Sequence, residues 1–335
     1  MRIIVPMAGM GKRMRPHTLT VPKPLIPIAG KPIVQRLVED IAKVCNEPIE
    51  EVAFIIGRFG KEVEAKLMKI AESVGAVGSI HYQDEPLGTA HAILCAQSAL
   101  KGNVVVAFAD TLFKADFKLD TSAEGTIWVQ RVEDPRPFGV VKLNEKGQIT
   151  DFVEKPQEFV SDMAIIGIYY FKDGEYLRSE LQYLLDNDIK DKGEFQLTNA
   201  LENMKNKGSV FIPGPISEWL DCGNKDATVY TNQRYLEYIK DEEGLVSSSA
   251  TVTNSVIIPP VYLGENVVLN NSVVGPHVSI GNNTQVSGSV LSNSIVQESS
   301  TIKNALISNS MVGNSAVFEG TPSDLSLGDY NVLRG

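Results

Sequence analysis

The stretch that decides the fold is residues 2–45, RIIVPMAGMGKRMRPHTLTVPKPLIPIAGKPIVQRLVEDIAKVC. It opens on an apolar run, Ile3 to Val5, and closes with Ile33, Leu37, Ile41 and Val44 at helical spacing. That order predicts a strand, a long loop and an amphipathic helix. The loop gathers Lys12, Arg13, Arg15, Lys23 and Lys31 and stiffens them with Pro16, Pro22, Pro24, Pro27 and Pro32.

The alternation continues downstream. EVAFIIG (51–57) predicts a second strand, and KEVEAKLMKIAESVG (61–75) a helix with Val63, Leu67, Ile70 and Val74 on one face, ended by Gly75. SIHYQ (79–83), a helix near 89–100 and NVVVAFAD (103–110) add another strand–helix–strand unit. Such alternation predicts a mostly parallel, Rossmann-like α/β sheet covered by helices on both faces. GTIWVQRV, FGVVKL, QITDFVEKP and AIIGIYYF then make 125–172 rich in strands, and helical patterns resume around 175–187, 195–206 and 225–240.

After DEEGLVSSS (241–249) long charged side chains give way to Val, Ile, Asn, Ser and Gly. Val256, Tyr262, Val268, Val274, Ile280 and Val286 fall six apart; Val290, Val296 and Ile302, then Leu306, Val312 and Phe318, resume the spacing. A six-residue period predicts a parallel β-helix in which each short side contributes one inward apolar residue. The expected organisation is an α/β domain over 1–240, a linker at 241–249, a β-helix over 250–320 and a C-terminal tail at 321–335.

A formal charge of −10 argues against nucleic acid or a membrane surface as the main partner. Cys45, Cys95 and Cys222 are widely spaced, with no CxxC pair and no disulfide framework. No apolar stretch approaches the ~18 residues of a membrane span. With no leader-like segment at its start, the sequence suggests a cytoplasmic protein.

The basic loop is therefore an exception within an acidic chain. A glycine-rich turn between strand and helix can cradle phosphates on its backbone N–H groups. Two common versions do not fit. The dinucleotide pattern G-x-G-x-x-G has Gly9 and Gly11 but Met14 at its third glycine, and a P-loop would need Gly and Ser or Thr where Pro6 and Arg13 stand. What remains is a proline-stiffened cationic loop, suited to a highly charged ligand such as a triphosphate.

GMGKRMRPHTLTVPKPLIPIAGKPI (9–33) closely resembles the signature G-x-G-T-R-x-x-P-x-T-x-x-x-P-K-P-x-x-P-x-x-x-K-P of the sugar-phosphate nucleotidyltransferases. YQDEPLGTAHAI (82–93), FAD (108–110), FGVV (138–141), VEKP (153–156), GEFQLT (193–198) and EWLDCGN (218–224) follow in the family's order. The resemblance spans the whole α/β part and implies the nucleotide-diphospho-sugar transferase fold. Members of this superfamily also carry left-handed β-helices of hexapeptide repeats.

The reaction so implied is NTP plus sugar 1-phosphate giving NDP-sugar plus pyrophosphate. By resemblance, the backbone of Ala8, Gly9 and Gly11 wraps the nucleotide, with Lys12 beside it. Arg13 grips the triphosphate, and Lys23 neutralises charge at the α-phosphate. Asp110 and Asp221 hold Mg²⁺. Gln83, Pro86 and Gly88 meet the base; Gly139, Glu154, Lys155 and Lys192 meet the sugar phosphate, Lys192 standing where relatives often place arginine.

Lys12 replaces the family's small hydroxyl residue; it either adds a phosphate contact or faces solvent. Ala8 resembles the Ala-Ala-Gly loop of uridylyltransferases. The substrate pair thus stays open among dTTP or UTP with glucose 1-phosphate and, as in the mannose enzymes, GTP. Two other readings are a non-catalytic regulatory paralogue that binds sugar nucleotides, and a bifunctional enzyme whose β-helix acetylates. The second is weakened by few coils, one histidine (His277) and few basic residues besides Lys303. The β-helix is expected to be structural, with self-association into a homo-oligomer.

Overall fold

The computed structural model describes residues 1–115 and 118–321, except the side chain of Pro215. Two compact units emerge: residues 1–27 with 31–227, and residues 28–30 with Thr228 onward. From residue 322 the expected tail lies outside the described residues.

In chain order the first unit contains β1 (Arg2–Pro6), β2 (Pro27–Ile28, its Ile28 grouped with the second unit), β3 (Lys31–Pro32), α1 (Ile33–Val44), β4 (Glu51–Ile56), α2 (Lys61–Ser73) and β5 (Val77–Tyr82). Next come α3 (Thr89–Leu94), β6 (Val104–Ala107), β7 (Thr111–Lys114), β8 (Gly125–Arg131), β9 (Gly139–Leu143), β10 (Ile149–Glu154) and β11 (Met163–Phe171). It ends with α4 (Gly174–Asp186), α5 (Leu197–Asn206), β12 (Phe211–Pro215), β13 (Glu218–Asp221) and α6 (Lys225–Ile239), which continues into the second unit.

The main sheet runs β10-β9-β11-β6-β1-β4-β5, with β8 joined to β11 and β12. β1 lies parallel between β4 and β6. Its Ile3, Ile4 and Val5 are completely buried. A central strand covered on both faces calls for such an unbroken apolar run rather than alternation. Ile33, Leu37, Ile41 and Val44 are buried along α1, as their spacing predicts. In α2, Leu67 and Ile70 are buried while Val63 and Val74 are only partly so, and Gly75 takes the left-handed φ of +76° that stops the helix. The helix expected to reach residue 100 stops at Leu94. Beyond it, Ala96 and Gln97 donate to carbonyls three residues back, tightening the chain out of the α form.

In the second unit, short strands from Thr251–Thr253 to Val317–Glu319 wind into three parallel sheets of five, four and four strands. The fold class is as the sequence predicts; the inward register holds at Val274, Ile280, Val286, Val296 and Ile302 and fails at others. Val252, Leu269, Val286, Ile302 and Phe318 form one ladder. Ile257, Val274, Leu291 and Ile307 form the second, and Leu263, Ile280, Val296 and Val312 the third. Successive inward residues are thus five or six apart, and each coil takes 17 residues, then 16. A strict period of six slips against this. Val256, Val268, Val290 and Leu306 are exposed instead.

The recurring Asn-Ser pairs have a physical role. Asn254, Asn271, Asn293 and Asn309 turn corners at positive φ, which asparagine tolerates. Ser255, Ser272 and Ser294 of these pairs accept through Oγ from the backbone N–H of Ser272, Ser289 and Ser310, one coil on, and Ser289 does the same for Ala305. Among the described residues no helix is long and apolar enough to cross a membrane.

Candidate active site

The loop after β1 is built around one close approach. Gly11 has φ +56°, and a methyl group there would stand 2.9 Å from Lys23 Cβ and 3.1 Å from Thr18 Cγ2. Thr18 Oγ1 donates to the Gly11 carbonyl at 2.9 Å. Lys12 to Met14 then form a single 3₁₀ turn, in which Met14 is fully buried while Lys12 and Arg13 are exposed. Met14, the residue that breaks the dinucleotide pattern, is thus the loop's apolar anchor, leaving its neighbours' charges to face outward. Ala8 is half-buried and Gly9 exposed, with open space around the Gly9 Cα.

Lys23 begins a second 3₁₀ turn with Pro24 at its next position, and its side chain is only 9% exposed. Its Nζ lies 3.0 Å from Asp110 Oδ2, just beyond the C-terminal end of β6. This is where ligands of open α/β sheets bind. The partner carboxylate arrives through a pairing that the sequence pattern did not predict. β13 runs antiparallel to β7 with Asp221 opposite Thr111, and the Cys222 N–H donates to the Asp110 carbonyl at 2.9 Å. Residues far apart in the chain are thereby locked side by side.

Asp221 Oδ1 accepts from the Gly223 N–H at 2.9 Å. A methyl group at Gly223 would come within 2.9 Å of Asp221 Oδ2 and 3.3 Å of Arg13 Nη2, so Gly223 leaves room for both charges. Burial pushes the Asp221 carboxyl above its ordinary value and the Asp110 charge adds to that; Lys23, the Gly223 N–H and Arg13 pull the other way. A carboxylate raised by burial and by a neighbouring carboxylate suits a hard divalent cation. Among the described residues no cluster of three or more His, Cys, Asp or Glu is placed to hold a metal. A cation on this pair would take its other ligands from phosphates and water, as Mg²⁺ commonly does.

A second group forms around Glu154. Thr198 Oγ1 donates to its Oε2 at 3.5 Å, Lys155 Nζ lies 3.4 Å from its Oε1, and a methyl group at Gly139 would sit 3.1 Å from Oε2. Lys155 has φ +42° and Lys192 φ +52°, both uncommon for lysine. Lys192 is the first central residue of a tight turn in which Asp191 and Glu194 exchange backbone hydrogen bonds. Its Nζ donates to the Lys155 carbonyl at 3.2 Å.

The third group is the loop from Gln83 to Gly88, where the sequence places the base contacts. Gln83 Nε2 donates to the Gly88 carbonyl at 3.2 Å and lies equally close to His91 Nδ1. Pro86 is exposed. Gly88 has φ +118°, and a methyl group there would strike the Phe195 carbonyl at 2.4 Å. Phe195 in turn bonds Leu87 and Ala90 through its backbone. GEFQLT therefore braces both the Gln83–Gly88 loop and, through Thr198, the Glu154 group. Trp219 in β13 packs edge-on against Phe138, with centroids 4.9 Å apart, tying the carboxylate strand to the glycine of the FGVV strand. Thr198, Phe195, Trp219 and Gly223 lie within the sequence motifs yet carry no role readable from them; bracing contacts leave no periodic signal. In the second unit, His277 turns a corner at φ +62° with Nε2 2.7 Å from Glu237 Oε1.

Residues 3–238 match the family described as nucleotidyl transferase. The chain is 30% identical over 267 residues to the bifunctional protein GlmU of Methanococcus vannielii, covering 77% of this chain and 61% of that protein. It is 30% identical over 276 residues to the mannose-1-phosphate guanylyltransferase catalytic subunit beta of Drosophila pseudoobscura pseudoobscura, covering 79% and 71%. A crystal structure of a UDP-glucose pyrophosphorylase complexed with UDP-glucose shares the fold, with TM-score 0.57 and 23% identity over 71% of this chain and 98% of that one. The chain spans about 61% of the length of the GlmU protein it matches.

Proposed function

The chain belongs to the nucleotidyl transferase family, and from that premise we propose that it joins a nucleoside triphosphate to a sugar 1-phosphate with release of pyrophosphate. The first pairs to test are dTTP or UTP with glucose 1-phosphate, followed by GTP with mannose 1-phosphate. The observation that carries this reading is the meeting of Lys23, Asp110, Asp221 and Arg13 at the end of β6.

In this reaction an oxygen of the sugar phosphate attacks the α-phosphorus in line. A new P–O bond forms as the bond to the bridging oxygen breaks, and the electron pair leaves with pyrophosphate. The nucleophile is ionised at neutral pH, so no side chain need take a proton. Positioning and charge stabilisation are what the protein must provide.

Lys23 is suited to this because it is held: the Gly11 approach, the 3₁₀ turn and the Asp110 carboxylate leave its ammonium little freedom. Arg13 offers a bidentate fork to the departing pyrophosphate. The Ala8–Gly11 backbone and Lys12 line the triphosphate side. Asp110 and Asp221 would hold Mg²⁺, which would supply further charge neutralisation at the phosphates. Gln83 can pair with a pyrimidine imide edge, offering a donor and an acceptor, with Pro86 and Gly88 shaping the loop around it. Gly139 gives the sugar close access to Glu154, which accepts from its hydroxyls, while Lys155 and Lys192 answer its phosphate.

The same reading takes the β-helix as a surface for self-association. Support comes from an outward ladder of Val256, Val273, Val290 and Leu306 on a face that carries no charged residue. An acetylating β-helix finds less support, since His277 is already engaged by Glu237.

The test is pyrophosphate release with Mg²⁺ across a grid of nucleoside triphosphates and sugar 1-phosphates. Turnover with one pair well above the others is expected. Silence across the whole grid would favour a sugar-nucleotide-binding regulatory protein.

A further inference from the structure

A glutamine amide has a donor end and an acceptor end, and in Gln83 the two are not equally free. The backbone is held first, the Gln83 N–H donating to the Ile56 carbonyl at 3.0 Å where β5 ends beside β4. The side chain then turns back on its own loop. Its Nε2 lies 3.2 Å from the Gly88 carbonyl and 3.2 Å from Nδ1 of His91, in the first turn of α3.

The Gly88 carbonyl fixes the sense of the amide. A carbonyl only accepts, so the end that faces it is the nitrogen. That nitrogen has no lone pair to give, so His91 Nδ1 must accept and the imidazole proton must sit on Nε2. Burial favours this neutral ring by holding His91 below the ordinary histidine value, against the pull of Glu85. Both amide hydrogens are then taken.

The oxygen is left. Among the described residues Gln83 Oε1 has no hydrogen-bond partner, yet it is not a buried orphan, because Gln83 is only half-buried. Of the donor and acceptor that a glutamine could show a base, the loop has therefore used the donor. Uracil, thymine and guanine carry an N–H at the centre of their pairing edge, whereas cytosine and adenine carry a lone pair there. A lone pair set against Oε1 is a repulsive element, and repulsion excludes wrong partners as effectively as attraction selects right ones.

We propose that His91 is a positioning residue that sets base choice: by accepting the second amide hydrogen it keeps Gln83 Oε1 turned to the nucleotide, so that bases with a central N–H are selected over those with a central lone pair. This rests on the nucleotidyl-transfer reading, with Gln83 meeting the base. His91 acts wholly through Gln83.

The experiment measures kcat/KM on the full chain, with the sugar 1-phosphate that turns over best, for UTP against CTP, dTTP against dCTP and GTP against ATP. Within each pair the central ring nitrogen changes from donor to acceptor. The parent should favour the N–H member of its best pair by ~10²-fold. His91→Phe, which keeps a ring but removes the acceptor, should cut that ratio about tenfold and change the KM for the sugar phosphate less than about twofold. His91→Asn, whose Oδ1 can accept from the same amide, should hold the ratio within about threefold of the parent. In a Gln83→Met background, where neither end of the amide remains, His91→Phe should change the ratio no further. Should His91→Phe not fold, His91→Leu takes its place. A parent that prefers CTP, dCTP or ATP, an undiminished ratio in His91→Phe, or the same fall again on top of Gln83→Met overturns the proposal while the transfer reaction stands. A parent silent with every pair removes that reaction and the proposal with it.

Discussion

Two parallel-β regions of this chain carry opposite loads. At the ends of β1 and β6, Arg13, Lys23, Asp110 and Asp221 crowd together. The β-helix carries only Glu265, Glu298, Lys303 and Glu319 over residues 250–320. Its ladders join residues 16 or 17 apart, and each coil repeats the bonds of the last. Asp221 reaches Asp110 through the single β7–β13 pairing. The comparison teaches that one region is stabilised by many interchangeable neighbours, while the other accepts an electrostatic cost to place a few groups that cannot be exchanged.

The comparison can be broken at several points. Lys23→Ala and Asp110→Asn should each lower kcat/KM on the order of 10²- to 10³-fold in steady-state assays, the loss typical of a preorganised charge contact. Unchanged Mg²⁺-dependent turnover would remove them from the site. In the β-helix, Leu291→Ala should cost about 2–5 kcal/mol by denaturant unfolding, because its side chain is completely buried within a ladder. Lys155→Ala should raise the KM for the sugar phosphate about tenfold, as loss of one charge-assisted bond would, and leave that for the nucleotide nearly unchanged. The opposite pattern would reassign Lys155.

Asp221 tests the electrostatic cost itself. Its folded-state pKa is raised, so the folded chain holds that proton more tightly than the unfolded chain does. The favourable contribution is complete below the ordinary aspartate value of ~3.9 and is lost as pH rises through the raised value. Asp221→Asn without ligands should therefore raise the melting temperature at pH 7, and the gain should fade as pH approaches ~3.9, even as activity is lost. A lower melting temperature at pH 7 would mean the site is not strained by its charge. The smallest effect is expected from Leu306→Lys: its side chain is 84% exposed, so unfolding should shift by no more than about 0.5 kcal/mol. Sedimentation should nevertheless report loss of self-association if that face is an interface.

Much of this was legible before any coordinates. Ile3–Val5 announced a strand, which the structure places at the covered centre of the sheet, and the Ile33–Val44 spacing announced its helix. The β-helix was legible as a class, yet Val256, Val268, Val290 and Leu306 were assigned inward and face outward. Valine spacing alone does not reveal that coils shorten from 17 to 16 residues. Within the site, Arg13, Lys23, Asp110 and Asp221 were named from motifs, and the structure brings them together. Phe195, Thr198 and Trp219 went unassigned because their work is bracing, which depends on what lies opposite them.

Left to itself, the sequence determined the elements, the two kinds of β architecture and the loop that gathers cations on a proline frame. These follow from local rules: side-chain periodicity, restricted φ and the cost of exposing apolar surface. Only the tertiary structure decided that β13 sets Asp221 beside Asp110 and that the Ala29 N–H meets Asn232 Oδ1. The physical reason is that both depend on backbone partners far apart along the chain, and no local pattern records which distant N–H will meet which oxygen.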